Sequence, residues 1–234
     1  MGTAQGAGSL AAMRVLVTAG PTREYWDRVR FLSSAATGRL GILIAEALAR
    51  RGHCCELVLG PTHLADPRAG GGGDARGGVA VQRVVCAREM LAACERVWPV
   101  CDAVVATAAV ADHRPARVHA GKVEKGETGE GTATLALVRN PDILATLAQG
   151  RGRRPAIGFA LQVEDAEPRA RRKLVEKDLD AIVLDAPEAL GAVSADFRIL
   201  RRDGGVEELP GTDKAALAER LVDLLEELDA AARA

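Results

Sequence analysis

Two short apolar segments near the start of the chain, each ending in Gly-Pro, constrain the fold more than any other feature. They span residues 14–20 (RVLVTAG) and 55–60 (CELVLG), and their runs of Val and Leu are typical of buried strands in a parallel sheet. Between them, residues 38–51 carry Leu and Ile at helical spacing, and Gly52 follows as a stop signal. A strand, a loop, a helix and a second strand in this order predict the opening unit of a parallel α/β sheet.

The rest of the chain continues this alternation. Strands are predicted at residues 79–85, 102–108, 155–159 and 180–184, and helices at residues 87–98, 167–177 and 214–233. Asp203-Gly-Gly205 lies between two short apolar runs and predicts a hairpin. The predicted fold class is α/β: a three-layer, Rossmann-like arrangement with a mainly parallel sheet, helices on both faces, and a flap or hairpin appendage.

Residues 122–144 interrupt the alternation. Three closely spaced glycines between residues 126 and 131 predict a mobile flap, and the alternating residues 132–137 predict a strand after it. Asn140 is expected to cap the helix that follows, with Pro141 in its first turn.

Composition limits the classes of protein that fit. The chain has 234 residues, 48% of them hydrophobic, and we predict one domain over residues 13–234 after a disordered lead of residues 1–12. The net charge of -1 gives no general attraction for nucleic acid, and no apolar run approaches the roughly 20 residues that span a bilayer. The five cysteines are odd in number and lack C-x-x-C spacing, which favours reduced thiols in a cytoplasmic protein.

The carboxyl ends of the predicted strands indicate where a ligand binds. In open parallel sheets these ends form the binding edge, and here they are Gly20, Gly60, residues 108–112 and Phe159. The loop over residues 33–41 leads into a helix N-terminus, where free N–H groups and the helix dipole favour an anion. The same glycines also fit a tight turn packed against a helix, so both interpretations stand at this point.

Two familiar phosphate-binding sequences are absent. A P-loop requires G-x-x-x-x-G-K-[ST], and no such run occurs in the chain. A dinucleotide-binding fold requires G-x-G-x-x-G after the first strand and an acidic residue after the second, but the second strand ends in Gly60-Pro61.

Seven segments in a fixed order then indicate a specific family. They are Thr18-Ala-Gly-Pro-Thr-Arg-Glu24, Val29-Arg-Phe-Leu-Ser33, Gly38-Arg-Leu-Gly41, Ala106-Thr-Ala-Ala-Val-Ala-Asp-His-Arg-Pro115, Lys122-Val-Glu-Lys125, Asn140-Pro-Asp-Ile143 and Ile157-Gly-Phe159. Together they resemble the phosphopantothenate–cysteine ligase (phosphopantothenoylcysteine synthetase) family from residue 13 to about residue 225. The chain resembles a stand-alone form, without the flavin-dependent decarboxylase half of the bifunctional bacterial proteins.

The resemblance implies a reaction of coenzyme A biosynthesis. Such a ligase joins 4'-phosphopantothenate and L-cysteine through an acyl-nucleotide, with CTP preferred here and ATP as the alternative. Magnesium is expected to arrive with the triphosphate, and no metal site built by the protein itself is expected. The resemblance also implies a homodimer, and it leaves open whether a separate phosphopantothenoylcysteine decarboxylase is a partner.

Site residues carry over from the family motifs position by position. The catalytic candidates are Lys122, Ser34 and Asp112. Nucleotide binding is assigned to Gly20, Gly38, Gly41, Ala108, Asp112, Lys122, Pro141, Asp142, Ile143, Leu144, Phe159, Lys173 and Lys177. Substrate binding is assigned to Arg30, Ser34, Ala108, Ala109 and Asp112, with Arg30 expected to reach the substrate of a neighbouring subunit.

The chain departs from the family pattern at several of these motifs. Ser34 stands where the family has an asparagine that handles the intermediate, and serine offers one shorter hydroxyl in place of an amide. Further departures are Ala36 for a serine, Glu124 for a flap lysine, Gln162 for an acid, and residues 184–187 for an Ala-Asn-Asp-Val segment. Two alternatives to the ligase therefore stay open: a related enzyme acting on another carboxylate, and a catalytically silent nucleotide-binding relative.

Overall fold

One large sheet organises the protein. The computed structural model describes residues 11–67, 77–124, 134–161, 165–185, 189 and 191–234. The strands of the large sheet are β1 (Arg14–Ala19), β4 (Cys54–Leu59), β5 (Gly78–Arg83), β6 (Ala103–Ala106), β9 (Ala156–Leu161), β10 (Ala181–Asp185), β11 (Ser194–Arg201) and β12 (Val206–Asp213). Their order is β12-β11-β10-β9-β6-β1-β4-β5, and only the pairs β10–β11 and β11–β12 are antiparallel.

Helices cover both faces of this sheet and form two cores. They are α1 (Arg39–Arg50), α2 (Ala87–Val97), α3 (Ile143–Ala148), α4 (Ala166–Glu176) and α5 (Lys214–Arg233). One core joins α1 and α5 to the sheet residues Val15, Val17 and Leu57, and the other joins α2, α3 and α4 to Leu16 and Val58. Successive side chains of a strand point to opposite faces, so one strand such as β1 serves both cores. The predicted three-layer, mainly parallel architecture is confirmed.

The last helix is tied to the first across the whole sequence. His53, which follows α1, is buried; its Nδ1 accepts a hydrogen bond from the Met13 N–H at 3.1 Å and its Nε2 lies 2.9 Å from Glu226 Oε1 in α5. Arg51 pairs with the other oxygen of the same carboxylate, Glu226 Oε2, at 2.5 Å. These contacts join the start of β1 and the end of α1 to α5.

Two small hairpins lie outside the large sheet. The loop predicted over residues 21–37 contains β2 (Glu24–Tyr25) and β3 (Phe31–Leu32), which pair with each other. The second hairpin pairs β7 (His113–Pro115) with β8 (Leu137–Arg139). By contrast, the hairpin predicted around Asp203 is not an appendage, since β11 and β12 extend the large sheet.

Two local predictions were wrong. Asn140 does not cap α3; Asp142 does, by accepting the Ala145 N–H at 3.1 Å, while the Asn140 side chain donates to the Ala111 carbonyl at 2.8 Å. Residues 134–136 are not a strand, and β8 begins only at Leu137. The distinction between a cap and a loop tie depends on which way each side chain turns, and the sequence order does not specify that.

Some predictions fall on residues outside the described ranges. They include most of the lead over residues 1–12, the flap glycines between residues 126 and 131, Lys125, Gln162 and the segment 186–188. Among the helices that the structure does describe, we find none with the length and apolar character needed to cross a membrane.

Candidate functional site

The first cavity opens where β6, β9 and α3 meet. Its volume is about 480 Å³. Its wall combines the loop after β6 with the start of α3: Thr18, Ala106, Ala108, Val110, Ala111, Asp112, His113, Arg139, Asn140, Pro141, Asp142, Ile143, Leu144, Leu147, Phe159, Lys173 and Lys177. Nine of the predicted nucleotide-binding residues lie in this wall. The volume and the mixture of apolar and charged side chains suit a small ligand with an anionic part.

Cations lie at one end of the first cavity. Lys177 Nζ is 2.7 Å from Asp142 Oδ2, and Lys173 Nζ donates to the Phe159 carbonyl at 2.6 Å. Burial, with the nearby Lys177 charge, lowers the pKa of Lys173. Burial alone would raise the pKa of Asp142, but hydrogen bonds from Lys177 and Ala145 outweigh it and lower that pKa. Among the residues that the structure describes, Asp142 is the carboxylate that forms an ion pair with one of these lysines, Lys177.

Asn140 organises the loop that presents Asp112. Its backbone N–H donates to the Asp112 carbonyl and its side-chain amide donates to the Ala111 carbonyl, both at 2.8 Å. Arg114 Nη1 donates to the Asn140 side-chain oxygen at 3.2 Å. Asn140, just before α3, thus holds the backbone at Asp112 in place. The exposed Asp112 carboxylate therefore extends from a fixed backbone position in the cavity wall.

The second cavity lies at the N-terminus of α1. Its volume is about 410 Å³, and its wall consists of Gly20, Ala36, Thr37, Gly38, Arg39, Leu40, Gly41, Thr107, Ala108, Ala109, Val110, Asp112, Phe159, Leu161, Lys173, Asp185, Ala189, Gly191 and Lys214. Gly38, the N-cap of α1, has φ +82° and offers no side-chain cap to the first N–H groups. Such an open helix N-terminus favours an anion, as the sequence predicted.

Close packing explains the glycine at residue 41. A Cβ atom there would lie 2.3 Å from the Ala19 Cβ and 2.7 Å from the Thr107 Oγ1. A side chain at residue 41 would therefore push α1 away from the ends of β1 and β6. The glycine keeps the helix N-terminus within reach of both strand ends, which agrees with the packing interpretation of this loop, and the anion interpretation stays a prediction.

Asp185 and Lys214 belong to the second cavity but were not predicted. Asp185 is the last residue of β10, and burial raises the pKa of its carboxyl to about 6 although Lys214 and Lys173 oppose the shift. Lys214 is buried, its Nζ donates to the Ala189 carbonyl at 2.7 Å, and burial lowers its pKa. The rule that identified the ends of the other strands applies equally to β10, so the signal was present in the sequence.

The two cavities share a wall. Ala108, Val110, Asp112, Phe159 and Lys173 line both of them. A ligand that extends from one cavity into the other must pass Asp112 and Lys173, one anionic and one cationic group. This is an arrangement in which a charged group can be transferred between two bound molecules.

Three predicted site residues lie in neither cavity wall: Arg30, Ser34 and Lys122. Ser34 is exposed, and its Oγ accepts only a long contact of 3.4 Å from the Ala36 N–H. Lys122 is exposed. Arg30 pairs with Asp27 at 2.7 Å within its own chain. Of the described residues, no three His, Cys, Asp or Glu side chains are grouped so as to hold a metal ion.

Comparison with known proteins identifies relatives of the whole chain. The model of the DNA/pantothenate metabolism flavoprotein C-terminal domain family matches residues 10–228. The coenzyme A biosynthesis bifunctional protein CoaBC of Vibrio cholerae is 35% identical over 227 residues, which are 93% of this chain and 53% of that protein. CoaBC of Bacillus subtilis is 38% identical over 205 residues, 86% of this chain and 48% of that protein. The chain thus spans about half the length of these curated relatives.

A solved structure agrees with the sequence relatives. The crystal structure of the C-terminal domain of CoaBC matches with a TM-score of 0.77 and 34% identity, over 95% of this chain and 98% of that one. The match to the family model, over residues 10–228, includes all residues of both cavity walls. The chain belongs to the DNA/pantothenate metabolism flavoprotein C-terminal domain family.

Proposed function

We propose that the chain is a phosphopantothenate–cysteine ligase of coenzyme A biosynthesis. The observation that carries the proposal is the wall shared by the two cavities, in which Asp112 and Lys173 lie between the lysine-edged first cavity and the N-terminus of α1. Family membership supports it, since the relatives are coenzyme A biosynthesis proteins. The candidate residues named from the sequence motifs line one or both cavities, apart from Arg30, Ser34 and Lys122.

The proposed first half-reaction activates a carboxylate. A carboxylate oxygen of 4'-phosphopantothenate attacks the α-phosphorus of the nucleotide, and pyrophosphate leaves. The base and ribose would lie against Pro141, Ile143 and Phe159 in the first cavity, with the phosphates near Lys173 and the α1 N-terminus. Cations and backbone N–H groups are the donors that stabilise charge developing on phosphate and carbonyl oxygens.

The proposed second half-reaction forms the amide. The amine of L-cysteine attacks the acyl carbon, loses a proton, and the nucleoside monophosphate leaves. Lys122 is proposed to neutralise charge that develops on the phosphate. Ser34 is proposed to take the role of the asparagine that the family has at this position. Since both lie outside the cavity walls of the single chain, we propose that they act on the site of a second subunit.

The co-substrates are part of the same proposal. CTP is proposed as the preferred nucleotide, with ATP as the alternative. Magnesium would enter on the triphosphate, because this ion is usually held by one or two carboxylates together with substrate phosphates. Asp112 is the carboxylate of the shared wall that would meet it, and the ion would neutralise phosphate charge.

A homodimer is proposed from exposed apolar side chains. Val29, Phe31 and Leu32 of the first hairpin are exposed, as are Leu137 and Val138 of β8. The two hairpins touch each other through β2 and β7, and we propose that these side chains together form the association surface. An exposed apolar region is typical of such a surface. A cytoplasmic location, and a separate decarboxylase as a further partner, remain family-based proposals.

Pyrophosphate release tests the function directly. The purified protein is given 4'-phosphopantothenate, magnesium and either CTP or ATP, with and without cysteine. Release that requires phosphopantothenate supports the ligase, and the faster nucleotide identifies the base preference. Replacing phosphopantothenate by other carboxylates, with equal release, would instead establish a ligase for a different acid.

A second candidate is a nucleotide-binding relative without turnover. It is favoured by Ser34, which replaces the family asparagine, is exposed, and belongs to neither cavity wall. This candidate predicts calorimetric binding of CTP or phosphopantothenate with no pyrophosphate. The Asp112→Ala variant serves as a control, because it should weaken binding in either case.

A further inference from the structure

A buried carboxylate outside both cavities collects an unusual number of donors. Asp27 is 0% exposed, and its Oδ1 accepts the N–H groups of Val29 and Arg30 at 2.8 and 2.7 Å. Its Oδ2 accepts Arg30 Nε at 3.0 Å and the Val123 N–H at 3.2 Å. Burial alone would raise the pKa of Asp27, but the N–H donors of Arg30, Val29 and Val123 outweigh it and hold this pKa below its usual range.

Val123 is held through both of its backbone groups. Its N–H donates to Asp27, and its carbonyl accepts Arg30 Nη2 at 2.6 Å. Val123 is also buried, whereas Lys122 and Glu124 on either side are exposed. One carboxylate and one guanidinium, themselves paired, therefore fix the peptide that carries Lys122.

Further contacts bind the preceding residues to the same turn. The His119 N–H donates to the Trp26 carbonyl at 2.9 Å, and the Arg30 guanidinium lies 4.6 Å from the centre of the Trp26 ring. The turn of the β2–β3 hairpin thus holds residues 119–123 at two points. Arg30 and Val123, which form one of these contacts, lie 93 positions apart in the sequence. A turn that needed only to close itself would not require these long-range contacts.

We infer that Asp27 and Arg30 are positioning residues for Lys122, acting through the backbone of Val123. The inference rests on the proposed function, in which Lys122 meets the phosphate charge. It gives Arg30 a role inside its own chain that requires no neighbouring subunit. A misplacement of about 1 Å in a catalytic group can cost on the order of 100-fold in rate, which sets the scale of the expected effect.

A double-mutant cycle tests the inference. Asp27→Asn replaces one accepting oxygen by an NH₂ donor, so the four donors can no longer all be satisfied. In the protein with Lys122, Asp27→Asn and Arg30→Gln are each expected to lower kcat about 10- to 100-fold with KM for the nucleotide nearly unchanged. In the Lys122→Ala background the same changes should cost less than about twofold, because groups acting as a unit are not additive.

Glu24→Gln is the matched control. Glu24 is a buried carboxylate in the same hairpin, but it accepts the Ala87 N–H at the start of α2 at 2.9 Å, away from Val123. Any loss of activity caused by Glu24→Gln should be the same factor in the wild-type protein and in the Lys122→Ala variant. Equal losses for Asp27→Asn in both backgrounds would mean a merely structural role and would overturn the inference.

Hydrogen exchange gives a readout that does not depend on activity. Asp27→Asn and Arg30→Gln are expected to speed exchange of the Val123 amide at least tenfold, while β1 amides keep their protection. If the wild-type protein shows no turnover with any nucleotide, the proposed function fails. Hydrogen exchange at the Val123 amide then remains the test of whether Asp27 and Arg30 hold Val123 in place. Unchanged exchange at Val123 in both variants would overturn the inference in either case.

Discussion

Lys177 Nζ lies 2.7 Å from Asp142 Oδ2, so the carboxylate that caps α3 also holds a cation at the wall of the first cavity. The cap and the ion pair can be separated by substitution. Asparagine retains an oxygen for the Ala145 N–H but has no charge for the lysine, whereas alanine loses both.

The first prediction follows from that difference. Asp142→Ala is expected to lower the free energy of unfolding by about 1–2 kcal/mol, and Asp142→Asn by less than about 0.5 kcal/mol, because exposed ion pairs contribute little. The pKa of Asp142 is lowered in the folded state, so its charged form stabilises the protein above the ordinary pKa and this is lost as the pH falls. Urea denaturation at pH 7 and pH 3.5 checks both statements; equal losses for both variants at pH 7 would contradict them.

The second prediction concerns Ser34. Ser34→Asn restores the amide that the family carries, and an added donor to a developing oxyanion is worth roughly 100-fold in rate. We expect at least about tenfold faster cysteine-dependent product formation, with pyrophosphate release in the absence of cysteine changed less. Ser33→Asn is the control, because the Ser33 Oγ already donates to the Thr22 carbonyl at 2.8 Å. A slower Ser34→Asn protein would show that serine is the functional residue in this chain.

The third prediction concerns the pH dependence of stability through Asp185. Burial raises its pKa to about 6, above the ordinary value of 3.8 for an aspartate, so the neutral carboxyl stabilises the fold below about pH 4 and this contribution is lost as the pH rises through 6. Asp185→Asn should therefore match the wild type near pH 4 and exceed it by about 1–2 kcal/mol at pH 8. Urea titrations at the two pH values check this, with the exposed Asp66→Asn as control. A less stable variant at pH 8 would mean that attraction to Lys214 and Lys173 outweighs burial.

The fourth prediction tests the packing of α1. Gly41→Ala places a methyl group against Ala19 and Thr107, and we expect a loss of about 1–3 kcal/mol in the free energy of unfolding. Gly78→Ala is the matched control, because nothing lies within 4 Å of a Cβ there. Thermal denaturation of the two variants should separate them by several degrees. Equal melting temperatures would show that the strand ends shift to accommodate the helix.

The sequence predicted the large sheet because each of its parallel strands is a short apolar run. A strand that is buried on both faces can be recognised from its apolar residues alone. The ends of the two strands in the first α/β unit were therefore predicted to within one or two residues. The small hairpins were missed for the opposite reason. Phe31 and Leu32 are exposed, and β2 and β3 have two residues each, so no periodic pattern marks them.

The candidate site was predicted where it depends on strand ends and missed where it depends on distant packing. The first-cavity residues from Pro141 to Leu144 were found because their motif is contiguous. Lys214 opens the last helix and reaches the second cavity through its contact with Ala189. No local pattern reports a contact of that kind. The hold of Asp27 on Val123 is likewise invisible in sequence, since the two residues lie 96 positions apart.

The contact between His53 and Glu226 sets an order for folding during synthesis. The two residues are 173 positions apart, and a ribosome adds about 5–20 residues per second, so α1 leaves the ribosome roughly 9–35 s before its partner helix exists. During that interval the apolar face of α1 that α5 will cover is open to other nascent chains. The core between α1 and α5 can therefore form only once α5 has been synthesised, and we expect the yield of folded protein in the cell to depend on chaperones.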